Sequence, residues 1–421
     1  MKKVIISLLV AGAALAANAQ DKALLETLVK KGMLTQQEAA QIAKESVAVT
    51  PAAKSTKSIK IFGGAQGWYS WGKNSLKAGS GQGWTDGQSS GFTLRYVKLG
   101  VEADVGGGWT AEVVTDFGTE GESKNYLDKV VASKKVDLDY INGTLQLGLR
   151  KTNMGYEQNM CDFGQLAIER SVATYFFTRG ADNQFGEKSF GSRTVGVFWD
   201  GNIVQVDGLY YSLALTSAVS EGDGFNGGNF IDGAQNSNGL AFWAGMGYKN
   251  VAEVKGETLS YDFGINFGYS AYGMDYATGG HGEVWGINPY ATINWRGFTV
   301  IGEFFLQQIE EGDGGFSTPL GANLTTAYKM DIGDWGAIEP VVRFSYVTTN
   351  GAGVNVDEDH NWNAIRYNQA ATAYLGVNWY AIPAVKTSLG YEFGYYDQGF
   401  NKAQENREYG NTIWAQVQVL F

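Results

Sequence analysis

Cysteine is almost absent from this chain: Cys161 stands alone among 421 residues. A single thiol cannot close an intrachain disulfide, so no disulfide framework holds the fold, and Cys161 reads as a passive loop thiol. Histidine is nearly as scarce. His281 and His360 are isolated, and neither lies beside a serine and a carboxylate that strand parity would bring together, which argues against a hydrolase. Without cysteine partners, two separate histidines are also too few for a zinc centre. The acidic run Asp357, Glu358 and Asp359 reads as a solvated outer loop with at most loose Ca²⁺ affinity. Glycines around 279–282 lack the strand-to-helix context of a phosphate-binding loop. No catalytic residue, resident metal or cofactor is expected.

Long apolar runs are missing too. Residues 1–19 carry Lys2, Lys3, a short apolar stretch and Ala17-Asn18-Ala19, the pattern of a secretory signal peptide. Beyond it no uninterrupted run reaches the roughly 18 residues that a membrane-crossing helix needs. Insertion into a bilayer is therefore open only to a closed β-barrel. Basic charge is also in short supply, with 32 Lys and Arg against 43 Asp and Glu and a formal net charge of -11. Such an acidic balance argues against nucleic acid as a partner.

Glycine and aromatic residues are abundant instead: 58 Gly, 12 Trp, 23 Tyr and 22 Phe accompany only 5 Pro. This composition suits many short strands whose alternate residues are polar. The last eleven residues, NTIWAQVQVLF, show the alternation clearly, with Ile413, Ala415, Val417, Val419 and Phe421 on one face and Trp414, Gln416 and Gln418 on the other. Sixteen such runs follow one another from Ser58 onward, the fourth read as 134–141. Short connections such as Gly106-Gly107, Asn142-Gly143, Asp200-Gly201-Asn202 and Trp295-Arg296-Gly297 alternate with long ones such as 72–90, 119–133, 152–189 and 349–365. An even strand count and strict alternation of loop length predict an all-β fold, a 16-stranded antiparallel transmembrane β-barrel with both ends of the barrel segment on the short-turn side.

Parity assigns rows such as Leu209, Tyr211, Leu213 and Leu215, or Leu375, Val377 and Trp379, to lipid. Trp109, Trp199, Tyr248, Trp295, Phe298, Trp335, Trp379 and Phe421 gather near the short turns, the height of an interfacial aromatic belt. Ahead of the barrel, residues 20–57 read as a short periplasmic helical hairpin and linker, with Thr35 and Glu38 forming a capping pair and Pro51 in the linker. The barrel segment is 58–421.

The connection 152–189 is too long and too aromatic for a passive linker, and reads as a loop folded into the barrel that narrows it. Here LQLGLRKTNMGYEQ, followed by LAIERSVATYFF, resembles the phosphate-selective porin O/P family in its basic residue after the strand, its Gly-x-Glu step and its Glu-Arg-Ser motif. FTLRYVKLGVEADV, GAIEPVVRFSYV and YLGVNWYAIPAVKTSLGYEF extend the resemblance over most of 58–421. It implies a homotrimeric diffusion porin in the outer membrane of a Gram-negative bacterium, with Phe421 as the terminal signal for the barrel-assembly machinery.

Candidate residues for the pore lining and constriction are Lys98, Glu102, Arg150, Glu169, Arg170, Glu303, Glu339 and Arg343, with Lys151 and Arg193 nearer the rim. Family members that favour phosphate are thought to line the pore with basic side chains, whose paired donors suit an oxyanion. Tyr96 stands where the resemblance favours another arginine, and acidic residues share the same parity. Passive diffusion of small hydrophilic solutes is therefore the leading expectation. A phosphate or anion channel, a sugar-selective porin and an outer-membrane binding protein are the alternatives.

Overall fold

The computed structural model describes residues 58–75, 85–118, 127–178, 193–217, 240–271, 283–310, 316–348, 369–397 and 407–421. The expected signal peptide 1–19 and hairpin and linker 20–57 lie outside the described residues, as do His281, His360, the 357–359 acidic run and the end of the long connection, 179–189.

Sixteen barrel strands are present: β1 Ser58–Ser75, β2 Thr85–Gly106, β3 Trp109–Asp116, β4 Leu127–Asp137, β5 Ile141–Lys151, β6 Arg193–Ile203, β7 Leu209–Ser217, β8 Leu240–Val254, β9 Glu257–Ala271, β10 Glu283–Trp295, β11 Phe298–Glu310, β12, β13 Ala337–Thr348, β14 Gln369–Ile382, β15 Val385–Asp397 and β16 Arg407–Leu420. Strand β12 is interrupted, running as Phe316–Ser317, Leu320–Tyr328 and Met330–Asp331. Pro319 lies in the first break, where a ladder donor is missing in any case.

The described residues fall into two compact units, a small one that includes 58–61 and 101–112 and a large one drawn from 62–100 and 113–421. The small unit contains the β2–β3 hairpin, whose turn passes through Gly106, Gly107 and Gly108 at φ 87, 62 and 77, a left-handed run that glycine alone tolerates at low cost. In the large unit each strand is antiparallel to its neighbours. Strand β1 pairs with β2 on one side and with β16 on the other, in a register from Gly64 opposite Leu420 to Lys73 opposite Asn411, so the sheet closes and keeps no open edge.

The burial pattern is inside out relative to a water-soluble protein. On β16, Trp414, Gln416 and Gln418 are buried while Ile413, Val417 and Val419 are exposed. Phe263, Ile265 and Phe267 on β9 and Leu375 on β14 are exposed in the same way, whereas Asn266, Thr372 and Asn378 face inward and are buried. An apolar outer band around a polar interior is the arrangement a bilayer selects. Trp335, Phe298 and Phe421 are exposed near the short turns, and Trp379 donates its indole N–H to the Trp335 carbonyl at 2.8 Å.

Two hairpins are as tight as a hairpin can be. Lys255-Gly256 and Arg296-Gly297 place both central residues at positive φ, 55 and 77 in the first and 51 and 81 in the second, which matches the right-handed strand twist. Two other expected turns are strand instead. Asn142-Gly143 lies within β5 and Gly201-Asn202 within β6, with Gly143 opposite Gly201. A β-carbon at Gly143 would come within 2.8 Å of the Trp199 ring, so this glycine clears space for a belt indole. The hairpin turns earlier, at 138–140, closed by the Leu138 N–H bonding to the Ile141 carbonyl at 2.9 Å, and β4 accordingly begins at Leu127.

Candidate functional site

After Lys151 the chain turns into the lumen and crosses it as a strap, residues 152–178, with a one-turn helix α1 (Tyr156–Asn159), a short 3-10 turn (Asp162–Gly164) and a second helix α2 (Val172–Thr178). A strap without sheet partners must satisfy its backbone elsewhere. Inward-facing wall side chains do this. Asn288 on β10 accepts the Gly155 N–H at 3.1 Å, and the Glu303 carboxylate on β11 accepts those of Tyr156 and Glu157. Lys386 on β15 donates to the Gln165 carbonyl at 2.8 Å, Gln418 on β16 to Phe163 at 3.0 Å, and Asn378 on β14 to Leu166 at 2.8 Å. The Ala173 N–H bonds to Ser345 Oγ on β13 at 3.1 Å. Apolar packing finishes the attachment: Phe176 and Phe177 of α2 bury against Phe305, Val347 and Ala370, with Phe177 stacked on Phe305 at 4.8 Å.

Ion pairs fix the strap at its middle. Asp162 meets Lys98 of β2, Lys151 of β5 (3.5 Å) and Arg170 of the strap itself. Lys98 also reaches Asp128 at 3.0 Å and Asp116 at 3.8 Å, and Arg193 pairs with Asp128. Burial opposes ionisation of Asp162, but Lys151, Lys98 and Arg170 outweigh it and hold the carboxyl well below its ordinary value. A second group joins Arg95 to Glu169 at 2.9 Å, and Arg343 to Glu392 at 2.7 Å and Glu157 at 3.3 Å. Glu157 in turn accepts from Ser171 Oγ at 2.7 Å, and Glu303 from Asn288 at 3.0 Å and Asn323 at 3.2 Å.

Of the eight candidate residues, the structure thus brings Lys98, Glu169, Arg170, Glu303 and Arg343 together around the strap, all buried. Arg150 is half-buried on β5 and bonds to Asp200. Glu339 is buried on β13, accepting from Tyr380 Oη at 2.7 Å and Asn378 at 3.0 Å. Glu102 is half-buried near the turn end of β2.

Parity missed Arg95. Strict alternation from Val97 and Leu99 would send it to lipid, yet Arg95 and Tyr96 are both buried, and the Val97 N–H bonds to the Asp116 carboxylate at 3.0 Å. Two successive inward residues mark a β-bulge, and its second residue puts the Tyr96 hydroxyl 3.0 Å from Arg170. Glu157 carries its signal in the Gly-x-Glu step. Asp116, Asp128, Asp162 and Glu392 carry none, since a strand or loop carboxylate does not announce its partner.

The strap's bonds reach β1, β2 and every strand from β10 to β16, and its first residues are also tied to β5 and β7, where Lys151 donates to the Gln158 carbonyl at 2.9 Å and Asn153 to Ser212 Oγ at 3.0 Å, while Met154 packs against Phe198, Ala214 and Trp243. Below the strap, against β5 to β10, a cavity of about 700 Å³ remains near the short turns. Its lining includes Tyr156 of the strap, Asn142, Asn202, Asp207, Lys249, Asp262, Thr292 and Asn294. The opening is therefore off-centre.

No family model matches the sequence. No curated protein matches it either. Solved structures share the fold: the anion-selective porin from Comamonas acidovorans is 12% identical with a TM-score of 0.57, covering 86% of this chain and 99% of that one. OprB of Pseudomonas putida is 11% identical with a TM-score of 0.57 over 86% and 94%, and the outer membrane channel DcaP of Acinetobacter baumannii is 10% identical with a TM-score of 0.53 over 86% and 97%. At such identities the likeness is one of fold, a closed 16-stranded antiparallel barrel of the porin type.

Proposed function

We propose that this chain is an outer-membrane porin, a water-filled channel for passive diffusion of small hydrophilic solutes in a Gram-negative bacterium. The observation that carries the reading is a closed barrel, apolar outside and polar inside, whose lumen is narrowed by a strap but not filled. Porin and channel structures of the same fold support it. Lys98, Glu169, Arg170, Glu303 and Arg343 set the constriction by holding the strap in place, and permeating solutes pass on the β5–β10 side.

Phosphate selectivity, which the motif resemblance suggests, is the weaker reading. An oxyanion needs basic groups whose donors are available to it, and Lys98, Arg170 and Arg343 are buried with their charges directed at Asp162, Glu157 and Glu392. The homotrimer and recognition by the barrel-assembly machinery are carried by the resemblance. Purified mature protein in planar bilayers tests the function: stepwise current that scales with KCl concentration is expected, with a small reversal potential in a KCl gradient that phosphate in the bath leaves unchanged. A folded protein that inserts but passes no current overturns the porin reading. Strong anion preference restores the phosphate one.

A further inference from the structure

The cavity beside the strap has more structure than a water passage requires. Tyr156 lines it and is backed by Tyr290, stacked at 4.8 Å with the planes 30° apart, and the Tyr290 hydroxyl meets that of Tyr210, which bonds in turn to the Asp262 carboxylate of the lining. These rings lie in notches made for them. A β-carbon at Gly264 would come within 2.9 Å of the Tyr290 ring, and one at Gly247 would collide with Tyr210. Around this plate the lining offers amides from Asn142, Asn202 and Asn294, each able to donate and accept.

The charges narrow the choice of ligand. Among the described residues of the lining, Lys249 is the one base, set over the Tyr210 ring at 5.4 Å, against two carboxylates, Asp207 and Asp262. An anion would meet a net negative wall. A neutral polyol suits every feature: its C–H face lies on an aromatic plate, and its hydroxyls exchange hydrogen bonds with amides and a carboxylate. At about 700 Å³ the cavity is also within the range of small-molecule sites.

We infer that this cavity is a carbohydrate subsite on the short-turn side of the constriction, with Tyr156, backed by Tyr290, as the stacking surface and Asp262 and Asn294 as hydroxyl partners. The inference rests on the porin reading and gives it a preferred solute class, neutral sugars of one or two rings.

Maltose is the probe. Added to the bath of single channels in KCl, it produces a saturable, concentration-dependent block, and Tyr156→Ala raises the half-blocking concentration by about tenfold. Asn294→Ala, which leaves the tyrosines in place, weakens block in the same direction while the channels still conduct. Block that grows only with bath viscosity, or that is equal in wild type and both variants, overturns the inference. So does saturable block by inorganic phosphate at lower concentrations than maltose. Calorimetric titration of maltose into the detergent-solubilised barrel separates the two claims: sugar binding without conductance sinks the porin reading alone, and conductance without sugar binding sinks the subsite alone.

Discussion

Arg343 shows how strongly one lumenal side chain can depend on its neighbours. Its guanidinium, 1% exposed, is bonded to Glu392 on the wall and to Glu157 and the Glu169 carbonyl on the strap. Taking the charge away leaves two buried carboxylates without it, and breaking such a pair costs about 3–5 kcal/mol. Arg343→Ala is expected to unfold at distinctly lower temperature in detergent, measured by the heat-dependent shift in electrophoretic mobility, and to show noisier open-channel current as the strap loosens. Asp162 gives a pH signature. Because its folded value is depressed below the ordinary 3.8, its contribution is fully present above that value and is lost only as pH falls through the lower folded one. The stability difference between wild type and Asp162→Asn should accordingly stay constant from neutral pH down to about 5 and shrink only in strong acid. Lys98, Glu303 and Arg343 were legible in the sequence as inward residues, since parity fixes the face, and Arg170 was legible from the Glu-Arg-Ser motif of the long connection. Their partners were not, because pairing depends on where the strap lies. Arg95 was hidden by the bulge, a one-residue slip that reverses parity without altering composition.

Strands were the most readable elements, and the reason is the bilayer: one face must be apolar along its whole length, so the period-two signal is strong in β9, β14 and β16. Reading failed where local turn chemistry competed with register. Asn142-Gly143 looks like a hairpin turn, yet the β5–β6 ladder continues through it to Ile141 opposite Ile203, and the glycine makes room for Trp199 instead. Strand β4 was misplaced with it: read as 134–141, it runs Leu127–Asp137, because a turn set at Asn142-Gly143 carries the strand too far along the chain. The Lys255-Gly256 turn offers a direct check on backbone strain. Lys255 holds φ 55, a conformation asparagine adopts more easily, so Lys255→Asn should raise unfolding stability by about 0.5–1 kcal/mol. Equilibrium unfolding in detergent measures it. The strap itself was legible as an unusual loop from its length and aromatics, but its attachment was not, because that depends on side chains spread over most of the wall.

For the whole molecule, the outside and the lumen should respond oppositely to charge. Leu375, 61% exposed on the outer face of β14, should lose about 2–4 kcal/mol of stability in lipid as Leu375→Arg, seen as reduced folding into vesicles. An off-centre passage follows from where the cavity lies, against β5 to β10, while the body of the strap is bonded to β1, β2 and β10 to β16. The measurement that tests it most directly is thiol modification during single-channel recording, in a Cys161→Ser background. Asn294→Cys is exposed in the cavity on the β10 side, whereas Ser345→Cys lies buried beneath the strap. A charged methanethiosulfonate reagent should lower the current through the first within one application and leave the second unchanged. Modification of Ser345→Cys with no effect at Asn294→Cys would contradict the account, placing the passage on the side the strap is said to close.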